Sequence, residues 1–164
     1  MTITVWSALW FLPFALPICI WVAWNDMKFM KIPNKAVVSL AVIFLVIGLV
    51  ALPFEEIPWR LLQLVVVLAI GFVLNMIRAI GAGDAKFAAV AAPFIAMGDL
   101  KLFLYLFAAT ILAAVSTHKI CKRIPAIRRL TPDWESWTRR DFPMGLALGG
   151  TLAFYLIAGA IFGA

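Results

Sequence analysis

Long apolar runs separated by short polar stretches dominate the pattern of hydrophobic and polar positions along the chain. An α-helix needs about 17–25 apolar residues to cross a lipid bilayer. The pattern predicts a bundle of six such helices in a single membrane-embedded domain, residues 1–164. The predicted helices cover residues 4–24, 36–52, 59–78, 85–98, 100–117 and 143–163.

The fourth run differs from the others. Its sequence "AKFAAVAAPFIAMG", residues 85–98, has only 14 residues, most of them small, and includes Pro93. A run of this length barely reaches across a bilayer. We therefore expect this helix to begin within the membrane or to pack against its neighbours through its alanines.

The composition agrees with a membrane protein. Hydrophobic residues make up 65% of the chain and charged residues 13%, with a mean hydropathy of +1.06. Soluble domains average about 45–50% apolar and about 25% charged residues. These values exclude an ordinary soluble domain and predict an all-α integral membrane protein surrounded by the lipid bilayer.

The distribution of cations predicts the orientation of the bundle. All but two of the 14 Lys and Arg residues lie in three alternate connections, at 25–35, 78–86 and 118–141. The positive-inside rule makes these connections cytoplasmic and puts both chain termini outside. The net charge of +6 is therefore explained by topology and by attraction to lipid. It does not indicate nucleic-acid binding, because no soluble basic domain is present.

The connection 118–141 is the longest polar stretch. Its cations alternate with apolar residues such as Leu130, Trp134 and Trp137. This mixture is typical of a helix or hairpin that lies at the lipid headgroups. An ordinary basic connection between two spans is an equally good interpretation.

The sequence predicts neither a metal nor a cofactor. Its two cysteines, Cys19 and Cys121, are far apart, and His118 is the single histidine. Structural zinc sites and disulfide frameworks both need closely patterned Cys or His residues.

Two acids stand out at the cytoplasmic ends of predicted helices. Asp26 follows the first helix and Asp84 precedes the fourth, so both have about the same membrane depth. Two carboxyls held close together cannot both ionise cheaply, and such a pair offers a general acid and a general base that titrate as a unit. Gly81 and Gly83 free the backbone beside Asp84 for close approach of an extended substrate.

The two acids can also have simpler roles in the chain. Asp84 can serve as an N-cap of the fourth helix, and Asp26 can be an interfacial acid whose charge is balanced by Lys28. A small proton-coupled transporter also holds paired acids in a helix bundle, although usually near the bilayer centre. A structural membrane subunit needs no paired acids.

The residues around both acids resemble known motifs. "DMKFMKIPN" at 26–34 is an Asp, five residues and Ile-Pro-Asn, "GAGDAK" at 81–86 contains GxGD, and "DFPMGLALGG" at 141–150 contains Pro-x-Gly-x-Ala. Together they resemble the GxGD membrane aspartyl proteases of the type IV prepilin and preflagellin peptidase family. This resemblance extends over essentially the whole chain.

The resemblance implies a function. Members of that family are multi-pass proteins of the inner (cytoplasmic) membrane that cut the short basic leader from prepilins or pseudopilins at the cytoplasmic face, without a metal or cofactor. It implies that Asp26 and Asp84 are the catalytic pair. The positions that shape the site are Gly81, Gly83, Lys86, Pro33 and Asn34.

One departure from the larger family members is informative. Those carry a cytoplasmic insertion with zinc-binding cysteine pairs between the first two spans, associated with N-methylation. Here that connection is 25–35 and contains no cysteine. The chain therefore resembles the minimal class found in Tad/Flp pilus systems or archaeal preflagellin processing, and methylation is not implied. Phe87, next to the GxGD motif, replaces a common aliphatic residue.

Overall fold

The apolar runs fold into helices that pack side by side. The computed structural model describes residues 1–139 and 141–164. Within these residues, all regular structure is helical. The α-helices are α1 (Val5–Phe29), α2 (Asn34–Ala51), α3 (Ile57–Met76), α4 (Ala82–Ala91), α5 (Leu100–Arg123), α6 (Pro125–Leu130) and α7 (Met144–Phe162).

Among residues 1–139 and 141–164, five helical segments are long and apolar enough to cross a membrane. They are Val5–Phe29, Asn34–Ala51, Ile57–Met76, Met97–Arg123 and Met144–Phe162. These correspond to the first, second, third, fifth and sixth predicted helices, so the prediction of a multi-pass helical membrane protein is confirmed. The predicted total of six spanning helices is not confirmed, because the fourth run forms no helix of that length.

The fourth run instead folds as a short helix followed by two 3₁₀ turns. The ten residues of α4 rise about 15 Å, half of the hydrocarbon thickness. Pro93 lacks the N–H that would continue the α-helix, and it lies in the 3₁₀ turn Ala92–Phe94. A second turn, Met97–Asp99, leads into α5. The sequence between Ala91 and Ala96 is buried throughout.

Although it is short, this run connects the end of the bundle that carries Asp26 with the end that carries the chain termini. The Asp99 carboxylate accepts hydrogen bonds from the N–H groups of Thr2 and Ile3, at 2.6 and 2.9 Å. The two chain ends pair nearby, since Val5 N–H donates to the Ala164 carbonyl at 3.1 Å. We call this side the terminal face and the opposite side the Asp26 face. The prediction that the terminal face is outside stays a prediction.

Close packing of α1 against α7 forms the centre of the bundle. A Cβ at Gly149 would lie 2.7 Å from the Cys19 carbonyl oxygen, so only glycine permits this approach. Small residues at such contacts let membrane helices pack with their backbones close together. An aromatic cluster completes the core, with ring centroids of Phe11 and Phe94 4.8 Å apart and those of Phe44 and Phe94 5.5 Å apart.

The connection between α5 and α7 is folded against the Asp26 face. Helix α5 continues past the predicted end at residue 117 as far as Arg123, and α6 and the 3₁₀ turn Glu135–Trp137 follow. Trp134 packs edge-on against Trp24 of α1, with ring centroids 5.1 Å apart. The connection therefore contains a short helix, α6, while its position at the lipid headgroups stays a prediction. Arg140, also in this connection, lies outside the described residues.

Candidate active site

Asp26 lies in the last turn of α1 and is 5% exposed. Its Oδ2 accepts a hydrogen bond of 2.6 Å from the N–H of Gly145, in the first turn of α7. The first N–H groups of a helix have no partner within that helix, so they suit a carboxylate. A Cβ at Gly145 would lie 2.8 Å from the Asp26 Cβ, and therefore any larger residue would push the carboxylate away.

Asp84 occupies the third position of α4, with Gly81 as the N-cap residue. Its side chain folds back over the turn, so that a Cβ at Gly81 would lie 2.6 Å from Asp84 Oδ2. Asp84 is therefore not the N-cap of this helix, although an acid in the first turn is favoured by the helix dipole. Glycine at position 81 leaves room for the carboxylate.

The structure brings the two acids within range of each other's charge. Asp84 lies outside the five spanning helices, and its pKa is raised from 3.8 to about 6. Burial of the carboxyl is the largest cause, the charge of Asp26 is the second, and the Gly81 N–H opposes both. Asp84 therefore retains a proton at a pH where an ordinary aspartate is ionised.

The other predicted site residues connect the two motifs without reaching the carboxyls. Lys86 Nζ donates to Asn34 Oδ1 at 3.3 Å. A Cβ at Gly83 would lie 3.3 Å from the Ile32 Cβ, because the segment before α2 packs on the first turn of α4. Pro33 is the N-cap residue of α2. These residues hold the segment after Asp26 against the segment that carries Asp84.

Gly145 is a site residue that the sequence analysis did not single out. It belongs to the third quoted motif, in which the buried Pro143 is the N-cap residue of α7. The Pro-x-Gly pattern at a helix start was the available signal, because the first N–H groups of a helix have no partner within that helix. Its partner, Asp26, is 119 residues away in the chain, and no local pattern indicates that pairing.

An apolar groove leads from Asp84 along the bundle. Its volume is about 640 Å³, with α3 and α5 as its walls and α4 between them. It extends along α3 from Trp59 to Leu74, about 22 Å of helix. Besides Asp84, its polar residue is Gln63, which donates to the Ile95 carbonyl at 3.4 Å. The sequence could not reveal this groove, because residues that face a groove and residues that face lipid are equally apolar.

Candidate metal ligands do not cluster in the part of the chain that the structure describes. Groups of three or more His, Cys, Asp or Glu residues that could hold a metal ion are not found there. The site itself presents two carboxyls, one N–H of α7 and the surrounding backbone.

These features define a class, that of multi-pass helical membrane proteins with two interacting acids at one face of the bundle. A model of the Type IV leader peptidase family matches residues 13–117, which include both acids. The match covers more than half of the chain, and the chain belongs to this family of membrane peptidases. The family predicted from the motifs is thereby confirmed. Neither the curated proteins nor the solved structures gave a match.

Proposed function

We propose that the protein is an aspartic endopeptidase that removes the basic leader peptide from type IV prepilin-like substrates, with Asp26 and Asp84 as its catalytic pair. The observation that carries this proposal is the interaction of the two carboxyls: the charge of Asp26 raises the pKa of Asp84. Membership of the Type IV leader peptidase family supports the reaction class.

The pair shares one proton and works on a water molecule between its members. One carboxylate takes a proton from the water while the water oxygen bonds to the carbonyl carbon of the peptide. The protonated partner donates a hydrogen bond to the carbonyl oxygen, where negative charge develops. Proton transfer to the amide nitrogen then breaks the C–N bond, leaving a carboxyl on the leader and an amine on the mature chain. The Gly145 N–H orients Asp26 throughout.

The groove beside Asp84 supplies a place for the apolar helix of the substrate. Its length of about 22 Å accommodates roughly four helical turns. A helix in this groove enters from the lipid between α3 and α5, and one end of it reaches Asp84. The exposed backbone at Gly81 then leaves room for the extended segment that is cut.

The short connection between α1 and α2 favours a minimal, Flp-type peptidase. It extends only from Met30 to Pro33, because α1 continues to Phe29. An inserted domain has no place in these four residues. We further propose that the Asp26 face is cytoplasmic and that the protein resides in the inner membrane, as the cation distribution predicts.

The position of the acids favours a peptidase over a proton-coupled transporter. Transporters place their coupling acids near the bilayer centre, between helical repeats. Here Asp26 lies in the last turn of one helix and Asp84 in the first turn of another, both at the Asp26 face. A soluble leader can reach acids at that depth.

Co-expression with a prepilin tests the catalytic pair. Leader removal is followed by gel shift for wild type, Asp26→Asn and Asp84→Asn, with Asp133→Asn, an exposed acid in the α5–α7 connection, as the matched control. We expect both pair variants to lose cleavage while accumulating in membranes and the control to keep it. Near wild-type cleavage by either pair variant would contradict the proposal and favour a transporter or a structural subunit.

Two neighbouring residues of α3 test the groove separately. Val66 lines the groove, whereas Val65, next to it, does not; the two side chains are similarly exposed, at 46% and 58%. Val66→Trp fills the groove and is expected to raise KM for a full-length prepilin at least tenfold. Val65→Trp adds the same side chain on the lipid side and should change KM less than twofold. Equal effects of the two substitutions would refute the docking position without bearing on the catalytic pair.

A further inference from the structure

A second concave site lies in the connection between α5 and α7. Its volume is about 450 Å³, and none of its lining residues belongs to the groove or to the acid pair. Four of its lining residues are cations, Lys122, Arg123, Arg128 and Arg129, and the indole of Trp137 forms part of the wall. We call this site the basic cup.

The cations of the basic cup have no acidic partners among the described residues. The ion pairs found there are Arg60 with Glu56 and Arg139 with Glu135, and neither includes a residue of the cup. Four like charges around one cavity repel each other at low ionic strength. An anion bound in the cup offsets that repulsion, because it is attracted to all four cations.

The wall of the cup is held by specific contacts. The Trp137 indole N–H donates to the carbonyl and to the hydroxyl of Thr131, at 2.9 and 3.1 Å. The same ring stacks on His118 of α5, with centroids 5.1 Å apart, and on Trp134, at 5.6 Å. Because Trp134 also contacts α1, the cup is tied to two long helices.

The position of the cup at the end of a candidate spanning helix indicates the source of the anion. The segment Met97–Arg123, which is long and apolar enough to cross a membrane, ends at two of the four cations, so the cup lies at the polar end of that segment. Apolar side chains flank it and face outward: Leu130 is 83% exposed and Ile120 is 59% exposed. Cations beside outward apolar residues are typical of segments at the headgroup level.

We propose that the basic cup binds the phosphodiester group of an anionic phospholipid in the leaflet that it faces. The acyl chains of that lipid continue along the exposed apolar residues of α5. A bound lipid thus ties α6 and the following turn to the membrane surface. This proposal concerns a site apart from the acid pair and holds whether or not the proposed peptidase activity is correct.

Native mass spectrometry of the purified, delipidated protein tests the cup. Phosphatidylglycerol is titrated as the anionic probe and phosphatidylcholine as the neutral one. The test variant is the triple substitution Arg123→Gln, Arg128→Gln and Arg129→Gln. Each cation near a membrane surface contributes roughly fivefold to binding, so we expect the phosphatidylglycerol affinity to fall on the order of 100-fold.

A matched control removes the same charge from the same face. Lys31, Lys35 and Lys119 are exposed and do not line the cup, so their combined change to Gln should alter the affinity less than threefold. A third variant, with Lys at the three Arg positions, keeps the charge and should retain most of the binding. If the Gln variant fails to fold, this Lys variant still tests the proposal. Its phosphatidylglycerol binding must weaken steeply with added salt, because salt screens the attraction between the cations and the lipid.

Two outcomes would overturn the proposal. Equal loss of phosphatidylglycerol binding in the Gln variant and in the lysine control would show attraction by net charge alone. Full displacement of the lipid by millimolar inorganic phosphate or glycerol 3-phosphate would identify a site for a soluble phosphate.

Discussion

Replacement of Asp84 by asparagine should stabilise the protein above neutral pH. The pKa of Asp84 is raised from 3.8 to about 6 in the folded protein, chiefly by burial and next by the charge of Asp26. The folded state therefore binds more protons than the unfolded state between these values, and stability falls as the pH rises through that window. Asparagine carries no titrating proton, so this loss disappears.

The expected magnitude follows from the pKa values. One pKa unit corresponds to about 1.4 kcal/mol, so the rise from 3.8 to about 6 sets an upper bound of about 3 kcal/mol. Asp84 is only partly buried, and screening by solvent reduces this to about 1–2 kcal/mol. For a chain of this size, that free energy raises the Tm by about 2–8 °C.

Thermal melts in detergent, followed by the fluorescence of the seven tryptophans, measure this effect. Wild type and Asp84→Asn are compared from pH 4 to pH 8. We expect the two Tm values to agree near pH 4, to diverge as the pH rises from about 4 to about 6, and to keep a constant difference above that, with the variant higher. Asp26→Asn removes the charge of Asp26, which after burial is the second cause of the raised pKa of Asp84. The pH midpoint of the fall in Tm should therefore be lower in this variant than in wild type.

Asp133→Asn is the control for a general effect of removing an exposed acid. Equal Tm values for Asp84→Asn and wild type at pH 8 would refute the reasoning, since the ionised carboxylate would then cost the fold nothing. An unchanged pH profile in Asp26→Asn would show that the two acids do not interact.

Gly145→Ala should lower cleavage about 100-fold in the prepilin gel-shift assay, because its Cβ would lie 2.8 Å from the Cβ of Asp26 and displace the carboxylate. Gly150→Ala on the same helix, where the nearest contact is 3.3 Å, should stay within about twofold of wild type, and comparable losses would contradict this account. Tyr155→Phe should destabilise the protein by about 1–3 kcal/mol in thermal melts, because the buried hydroxyl accepts from a backbone N–H at 3.0 Å and donates to a carboxylate at 2.9 Å. Tyr105→Phe, at a position 71% exposed, should leave the Tm unchanged, and a similar drop there would show that the hydroxyl bonds of Tyr155 are not the cause.

The five long helices could be predicted from the sequence, because the requirement for crossing a bilayer depends only on residues that are near each other in the chain. An apolar run must be long enough, and its flanks must be polar, and both properties are visible in the chain. The predicted ends of these helices are less accurate than their positions. Helix α1 continues from Trp24 to Phe29, since a helix that leaves the hydrocarbon needs no apolar residues to keep its backbone hydrogen bonds. Helix α5 extends past residue 117 to Arg123 for the same reason.

The short α4 and the groove could not be predicted, because both depend on partners that are distant in sequence. The alanines of α4 are suited to burial among other helices, but nothing local says which helices those are. The motifs around Asp26 and Asp84 drew attention to both acids, because each motif includes residues that pack the two segments together, whereas the catalytic role of the pair stays a prediction. The hydrogen bond from Gly145 joins segments 119 residues apart and was beyond any local pattern.

The short α4 also constrains the order in which the protein is assembled in the membrane. A ten-residue helix is too short to enter a bilayer by its own partitioning during synthesis. It is buried by α2 and α3, which are made earlier, and by α7, which is made later. The segment that carries Asp84 is therefore fully packed only after α7 has been inserted. A ribosome-bound chain that lacks α7 has Asp26 without its Gly145 partner, so the proposed catalytic pair is assembled only once α7 has been made.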